Sequence, residues 1–137
     1  MAFKFEKLDV WQLALDYVDI VYELSAQLPR DEDYNLKSQI RRAATSITLN
    51  IAEGSSGLSD AEQARFIGIA LRSLVETVAC LHLIHRRGYF TQPDVLRKAY
   101  QSAEMLFKRL KAFQNALNSN TLREEMPIYE SDEPSPF

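Results

Sequence analysis

Apolar side chains recur at spacings of three and four residues along most of the chain, and this period limits the fold more than any other feature. In the first such run, Val10, Ala14 and Tyr17 begin a stripe that continues to Leu28. Such spacing places side chains on one face of an α-helix. No segment alternates apolar and polar residues with a period of two, so the sequence predicts helices and no β-strand.

Residues that cap or break helices divide this pattern into four segments. Pro29 and Gly88 each end an apolar run, and Ser59 with Glu62 forms a capping box at the start of another. Helices of about 20–28 residues are about 30–40 Å long. The predicted helices run from the N-cap Asp9 to Pro29, from about Asp33 to Ser55, from Ser59 to Gly88, and from Thr91 to about Asn118.

The short turns between these segments predict an all-α fold, an antiparallel up-down-up-down four-helix bundle. We expect residues 1–118 to form the bundle and residues 119–137 to form an acidic, irregular or disordered tail. The net charge of −3 is unevenly spread, because residues 121–137 carry five carboxylates and one arginine. The remaining body is nearly neutral at +1, which is unlike the charge of a dedicated nucleic-acid-binding protein.

The single cysteine, Cys80, cannot form a disulfide within the chain, so a reducing, cytoplasmic location is the simple interpretation. The first residues contain no apolar stretch of signal-peptide length. No apolar run approaches the roughly 20 residues that span a bilayer. We therefore expect no membrane association.

The second and third predicted helices carry more apolar residues than one buried face needs. Helical projection places Ile69 and Leu83 roughly opposite the main stripe of the third helix, and Leu49 roughly opposite the stripe of the second. A helix that is apolar on two sides needs two partners, so we expect Leu49, Ile69 and Leu83 to lie in a subunit interface. The alternative is scattered exposed apolar residues, which are common on soluble proteins.

His82 and His85 are the best candidates for metal ligands, since they lie one helical turn apart. No third ligand has helical spacing to them, and Glu76 lacks the histidine three positions later that di-iron bundles use. The chain also has no glycine-rich phosphate loop. The sequence therefore predicts a non-enzymatic protein with no catalytic residue, metal, cofactor or small-molecule substrate.

Lys37, Arg41 and Arg42 form the sharpest basic cluster, and the first two lie one helical turn apart. Such a cluster could contact the phosphates of a nucleic acid or the carboxylates of a partner. The alternative is a solvated helix face whose charges pair with acidic residues nearby. The sequence leaves both interpretations open.

The second predicted helix also contains a recognisable motif. Its segments Gln39–Ile47 (QIRRAATSI) and Asn50–Gly54 (NIAEG) resemble the hallmark of the four-helix-bundle proteins encoded in intervening sequences of bacterial 23S ribosomal RNA genes. The resemblance covers roughly residues 3–117. It extends to motif residues that we expect to be structural or to lie in subunit contacts: Trp11, Asn50, Glu53, Gly54, Arg72 and Glu76.

This resemblance implies a bundle that assembles as a ring of five subunits, a homopentamer, with no established enzymatic activity or cofactor. A related branch is the accessory protein of diversity-generating retroelements, which binds a reverse transcriptase and nucleic acid through a strongly basic surface. Two functions follow as expectations. The first is a homo-oligomeric scaffold or interaction protein of unknown cellular role, and the alternative is a nucleic-acid-binding accessory protein that uses Lys37, Arg41, Arg42 and residues of the fourth helix.

Overall fold

The structure, a computed structural model, describes residues 1–57, 59–122 and 135–137. Four α-helices and two short 3-10 helices account for most of these residues, and the described part of the chain contains no β-strand. The predicted all-α fold is therefore confirmed. The helices are α1 (Asp9–Ala26), α2 (Leu36–Gly54), α3 (Asp60–Arg87) and α4 (Asp94–Leu122), with 3-10 turns at Lys4–Lys7 and Arg30–Glu32.

Each helix packs against the next along the chain, and α1 also packs against α4, so the four helices close around one core. Side-chain hydrogen bonds show that neighbours run antiparallel. Ser46 of α2 pairs with Ser73 of α3, while Ser55, the residue after α2, accepts a hydrogen bond from Gln63 near the start of α3. At the end of α4, Asn120 donates to Asp60 at the start of α3.

The core consists of the predicted apolar stripes. Among the described residues, a polar contact crosses the core from α1 to α3, where the Tyr17 hydroxyl lies 2.7 Å from Thr77 Oγ1. Thr77 Oγ1 in turn donates to the Leu74 carbonyl, so both buried hydroxyls have partners. The largest fully buried side chains are Tyr17, Leu24, Ile40, Ile47, Ile51, Ile67, Leu74, Leu81, Ile84, Leu96, Leu106 and Leu110.

The predicted helix ends are correct in two places and shifted in others. Ser59 accepts the Glu62 amide at 3.2 Å, and Gly88 ends α3 with a left-handed φ of 73°. The structure places the first N-cap at Leu8 rather than at Asp9, which instead belongs to the first turn of α1. The second helix starts at Leu36 rather than near Asp33, because a 3-10 turn precedes it.

The fourth helix extends to Leu122, a few residues past the expected end of the bundle near Asn118. The rest of the predicted tail mostly falls outside the described residues, since the structure describes only 135–137 beyond this helix. Phe137 packs partly buried against the core cluster.

By length and hydropathy alone, α3 is apolar enough to cross a membrane, although the sequence analysis found no such run. In the bundle, 44% of its most apolar window is buried. This helix lies between α2 and α4 and packs against both. A core helix of a bundle passes the same hydropathy test, so the feature has a structural explanation in the described fold.

Candidate interaction surface on helices α2 and α3

The outer surface of α2 and α3, called here the α2–α3 face, contains an open groove of about 480 Å³. Ser46 of α2 and Ser73 of α3 both line the groove. Their hydroxyl oxygens hydrogen-bond at 2.9 Å, which holds the two helices close together. Asn50 Nδ2 donates to the Ser46 carbonyl at 2.8 Å and to its hydroxyl at 3.1 Å. The groove is lined by Tyr34, Asn35, Ser38, Gln39, Arg42, Ala43, Ser46, Ser73 and Glu76.

Gly54 and Trp11, two of the motif residues, have structural roles. A Cβ atom on Gly54 would lie 2.9 Å from Phe66 Cβ and 3.5 Å from the Gln63 carbonyl oxygen, so glycine lets α2 end directly against α3. Trp11 is half-buried beside the core and packs edge-on against Phe5, with ring centroids 4.6 Å apart.

The three residues of the predicted basic cluster have different contacts. Lys37 forms an ion pair with Asp33 at 2.7 Å. Arg41 is tied to α1, because its Nε donates to Ser25 Oγ at 2.7 Å and its guanidinium lies 4.6 Å from the Tyr22 ring centre. Arg42 has no hydrogen bond or ion pair within the described residues, so it alone of the three basic residues is available to a partner.

The α2–α3 face carries further charges without partners in the described part of the chain. Glu76 lines the same groove as Arg42. Glu53 lies beside Leu49 in a shallow groove between α1 and α2, which Arg41 and Arg42 also line. Side chains of both signs thus lie on one face with their hydrogen-bonding capacity unused. Charges in this state can form charge-assisted hydrogen bonds with a partner.

Arg72 does not join this group, although it lies one turn from Glu76. It lines a separate groove between α3 and α4, together with Phe107 and Lys111. The motif residues of α3 therefore face two different surfaces. This division depends on the positions of α2 and α4 around α3, which the motif does not reveal.

The predicted interface residues are exposed to different degrees. Leu49 is 58% exposed and Leu83 is 54% exposed, whereas Ile69 is half-buried. Ile69, Glu76 and Leu83 recur every seven residues, so they follow one line along α3. The sequence analysis missed Val75, which is 55% exposed, and Tyr34, which is fully exposed beside the groove. Helical projection of α3 contains the signal for Val75, since it lies away from the buried stripe.

Other candidate chemistry finds structural explanations. Among the described residues, no group of three or more His, Cys, Asp or Glu side chains is placed to hold a metal ion. His82 and His85 pack against the Phe137 ring, with centroid distances of 5.0 and 5.2 Å. Burial, with a smaller effect of the nearby Glu76 carboxylate, raises the pKa of the Cys80 thiol to about 11. A thiol held protonated in this way is a poor nucleophile.

The buried carboxylate of Glu32, in the 3-10 turn before α2, also has a structural role. Glu32 is 6% exposed and accepts a hydrogen bond from the Tyr89 hydroxyl at 2.6 Å and another from Asn35 Nδ2 at 2.9 Å. The bond from Tyr89 is the main reason that the pKa of Glu32 is lowered. These contacts attach the 3-10 turn before α2 to the turn between α3 and α4.

Fold and surface together define a small four-helix-bundle protein in which Arg42 and Glu76, charged side chains without partners in the described residues, line an open groove between two helices. The family model of the 23S rRNA-intervening sequence protein matches residues 6–119, and the chain belongs to this family. The resemblance predicted from the α2 motif is thereby confirmed.

One solved structure supports the same assignment. It is a protein of unknown function from the S23 ribosomal protein family of Bacteroides thetaiotaomicron, with a TM-score of 0.70 and 25% sequence identity. The match covers 77% of this chain and 97% of that chain. No curated protein sequence matches the chain.

Proposed function

We propose that this protein is a non-enzymatic scaffold of the cytoplasm that assembles from copies of itself through the α2–α3 face. The observation that carries the proposal is the combination of exposed leucines with unpaired charges of both signs on that face. Leu49 and Leu83 are each more than half exposed, while Arg42 and Glu76 line one groove without partners in the described part of the chain. The family resemblance supplies the expected form, a closed ring of five bundles.

A second copy fits this face better than a small ligand does. The groove is open and polar, whereas the exposed leucines lie outside its lining. Full burial of a leucine side chain is worth about 1.5–3 kcal/mol, so covering two half-exposed leucines contributes usefully to association. A ring needs two complementary surfaces on every subunit, and a face that carries both charge signs can supply groups for both.

The test is the molar mass of the full chain in solution, measured by sedimentation equilibrium over about a hundredfold range of concentration. A Leu49→Asp/Leu83→Asp variant should sediment as a smaller species than the wild type, because each carboxylate must be desolvated in the interface. Met105→Asp is the matched control, since Met105 is 53% exposed but lies on α4. A wild-type chain that stays monomeric throughout would contradict the proposal.

The same samples can test the nucleic-acid alternative. Lys37 and Arg41 already have partners within the chain. Of the three basic residues, Arg42 is therefore the one left to contact a phosphate. If the protein acts as a scaffold alone, it should not bind structured RNA at low salt. Binding that weakens steeply with added salt, as phosphate contacts do, would instead favour the accessory-protein function.

A further inference from the structure

A second groove runs between α3 and α4 on the outside of the bundle. Its α4 side consists of residues spaced three or four apart from Tyr100 to Gln114, which corresponds to about 21 Å of helix. Its middle part is apolar and encloses about 250 Å³ between Val75, Val78 and Phe107. Val75 is 55% exposed there. An exposed apolar strip of this kind is typical of a surface that packs against another protein.

Basic side chains outnumber acidic ones in the lining of this groove. The cations are Arg72 on α3 and both Lys108 and Lys111 on α4, and the carboxylate among the lining side chains is Glu104. Arg72 and Lys108 have no hydrogen bond or ion pair within the described residues. Lys111 donates to Gln114 Oε1 at 3.0 Å. The groove therefore combines an apolar middle with positive charge, which matches an acidic helix with apolar flanks.

The outer surface of α1 has the opposite charge. This helix contains no lysine or arginine, and its four carboxylates are Asp9, Asp16, Asp19 and Glu23. All four are exposed, and none forms an ion pair within the described part of the chain. Asp9, Asp16 and Glu23 recur every seven residues, so they follow one line along the helix. This row, called here the α1 ridge, is about 21 Å long.

Apolar side chains accompany the α1 ridge. Leu13 and Ile20 are half-buried and pack against the core cluster. Leu13 follows Asp9 by four residues and Ile20 follows Asp16 by four, and residues four apart are neighbours on a helix surface. The α1 ridge and the α3–α4 groove thus agree in length, have opposite charge and each have an apolar part.

The α1 ridge and the α3–α4 groove lie on different sides of the bundle. Helix α1 packs against α2 and α4, and α3 packs against the same two helices, so α1 lies diagonally across from α3. A copy therefore cannot place its own α1 in its groove, whereas a second copy can. One ridge and one groove on every copy make a head-to-tail contact, which closes into a ring when the rotation between copies allows it.

We propose that the α3–α4 groove binds the α1 ridge of a second copy of this chain. The carboxylates of the ridge pair with Arg72, Lys108 and Lys111, and its apolar side chains cover Val75 and Phe107. This inference rests on the proposed self-assembly and adds the pair of surfaces that gives the assembly a direction. The α2–α3 face makes its contact on the other side of α3.

The experiment reverses the charge of each surface separately. The groove variant is Lys108→Glu/Lys111→Glu and the ridge variant is Asp16→Lys/Glu23→Lys. Each alone should raise the protein concentration at half-assembly about ten- to a hundredfold in sedimentation equilibrium, because like charges then meet in the contact. Lys98→Glu/Arg109→Glu is the matched control and should assemble as the wild type does, since both residues are exposed on α4 and neither lines the groove.

Mixing the two variants is the decisive step. The reversed groove of one variant accepts the reversed ridge of the other, and the two unchanged surfaces also match. The mixture should therefore assemble at the wild-type concentration with equal numbers of both variants in each particle. A chain that carries all four substitutions should assemble by itself. A folding defect in either variant would not be repaired by mixing.

Wild-type assembly of both reversed variants, or a mixture that fails to assemble, would overturn this inference. The scaffold function would then still stand, because Leu49→Asp/Leu83→Asp tests it on the α2–α3 face. A monomeric wild type would overturn both. The methyl NMR signals of Val75 should also shift with protein concentration. Val75 signals that stay constant while the wild type assembles would overturn the inference, since no second copy then covers the groove.

Discussion

At the scale of single residues, the motif on α2 separates into side chains that build the bundle and side chains that face outward. Asn50 hydrogen-bonds to Ser46 one turn earlier on α2, and Gly54 lets the end of α2 approach Phe66 closely. Arg42 and Glu53 have no partner in the described residues. The motif therefore contains residues with a structural role and residues that face outward, and only the structure distinguishes the two.

The first prediction concerns Gly54 at the end of α2 and Gly68 within α3. Gly54→Ala should lower the free energy of unfolding by about 1–3 kcal/mol, because overpacking against a Cβ atom at 2.9 Å forces the helices apart. Gly68→Ala is the control, since its new Cβ would meet only the flexible end of Gln114 at 3.0 Å. That variant should be neutral or stabilised by up to about 1 kcal/mol through helix propensity. Equal destabilisation of both variants in urea unfolding would contradict the packing argument.

At the scale of elements, the sequence predicted the number, type and order of the helices because the period of apolar residues and the capping signals are local. It placed the start of α2 too early because the contact that holds the turn before this helix comes from a distant part of the chain. Glu32 holds the preceding 3-10 turn through Tyr89, which lies 57 residues away. It likewise missed that Arg41 is bound to α1, whereas the Lys37–Asp33 pair has the i,i+4 spacing of a helix and was open to prediction.

The second prediction tests this long-range attachment by pH. The pKa of Glu32 is lowered in the folded protein, so its contribution to stability is present above the usual value of 4.5 and is lost as pH falls through the folded value. Glu32→Gln should therefore cost about 1–3 kcal/mol at neutral pH and show a weaker loss of stability as the pH falls below about 5. Tyr89→Phe should act in the same direction, since it removes the main cause of the shift.

Glu23→Gln is the control for that series, because Glu23 is an exposed glutamate on α1. Unfolding by urea at each pH gives the measurement. If Glu32→Gln and Glu23→Gln have the same dependence on pH, the carboxylate of Glu32 does not hold the turn in solution.

At the scale of the whole molecule, α3 has apolar or unpaired groups on two sides as well as a buried stripe. The α2 side presents Glu76 with Arg42 and the exposed leucines, and the α4 side presents Val75 with Arg72. The sequence indicated this excess through Ile69 and Leu83. It could not divide the excess between two surfaces, because that division depends on which helices lie beside α3 in space.

The last prediction concerns the proposed assembly and asks which carboxylate of a second copy pairs with Arg42 in it. Arg42→Glu should shift the assembly to smaller species by placing like charges in the interface, which costs several kcal/mol when they are desolvated. If Glu76 is the partner, Arg42→Glu/Glu76→Arg should restore the wild-type molar mass while Arg42→Glu/Glu53→Arg does not, and the reverse holds if Glu53 is the partner. Lys98→Glu makes the same charge change at an exposed position on α4 and serves as the control. Sedimentation equilibrium at one fixed salt concentration distinguishes these variants. A wild-type molar mass for Arg42→Glu would show that the unpaired guanidinium on the α2–α3 face has no part in assembly.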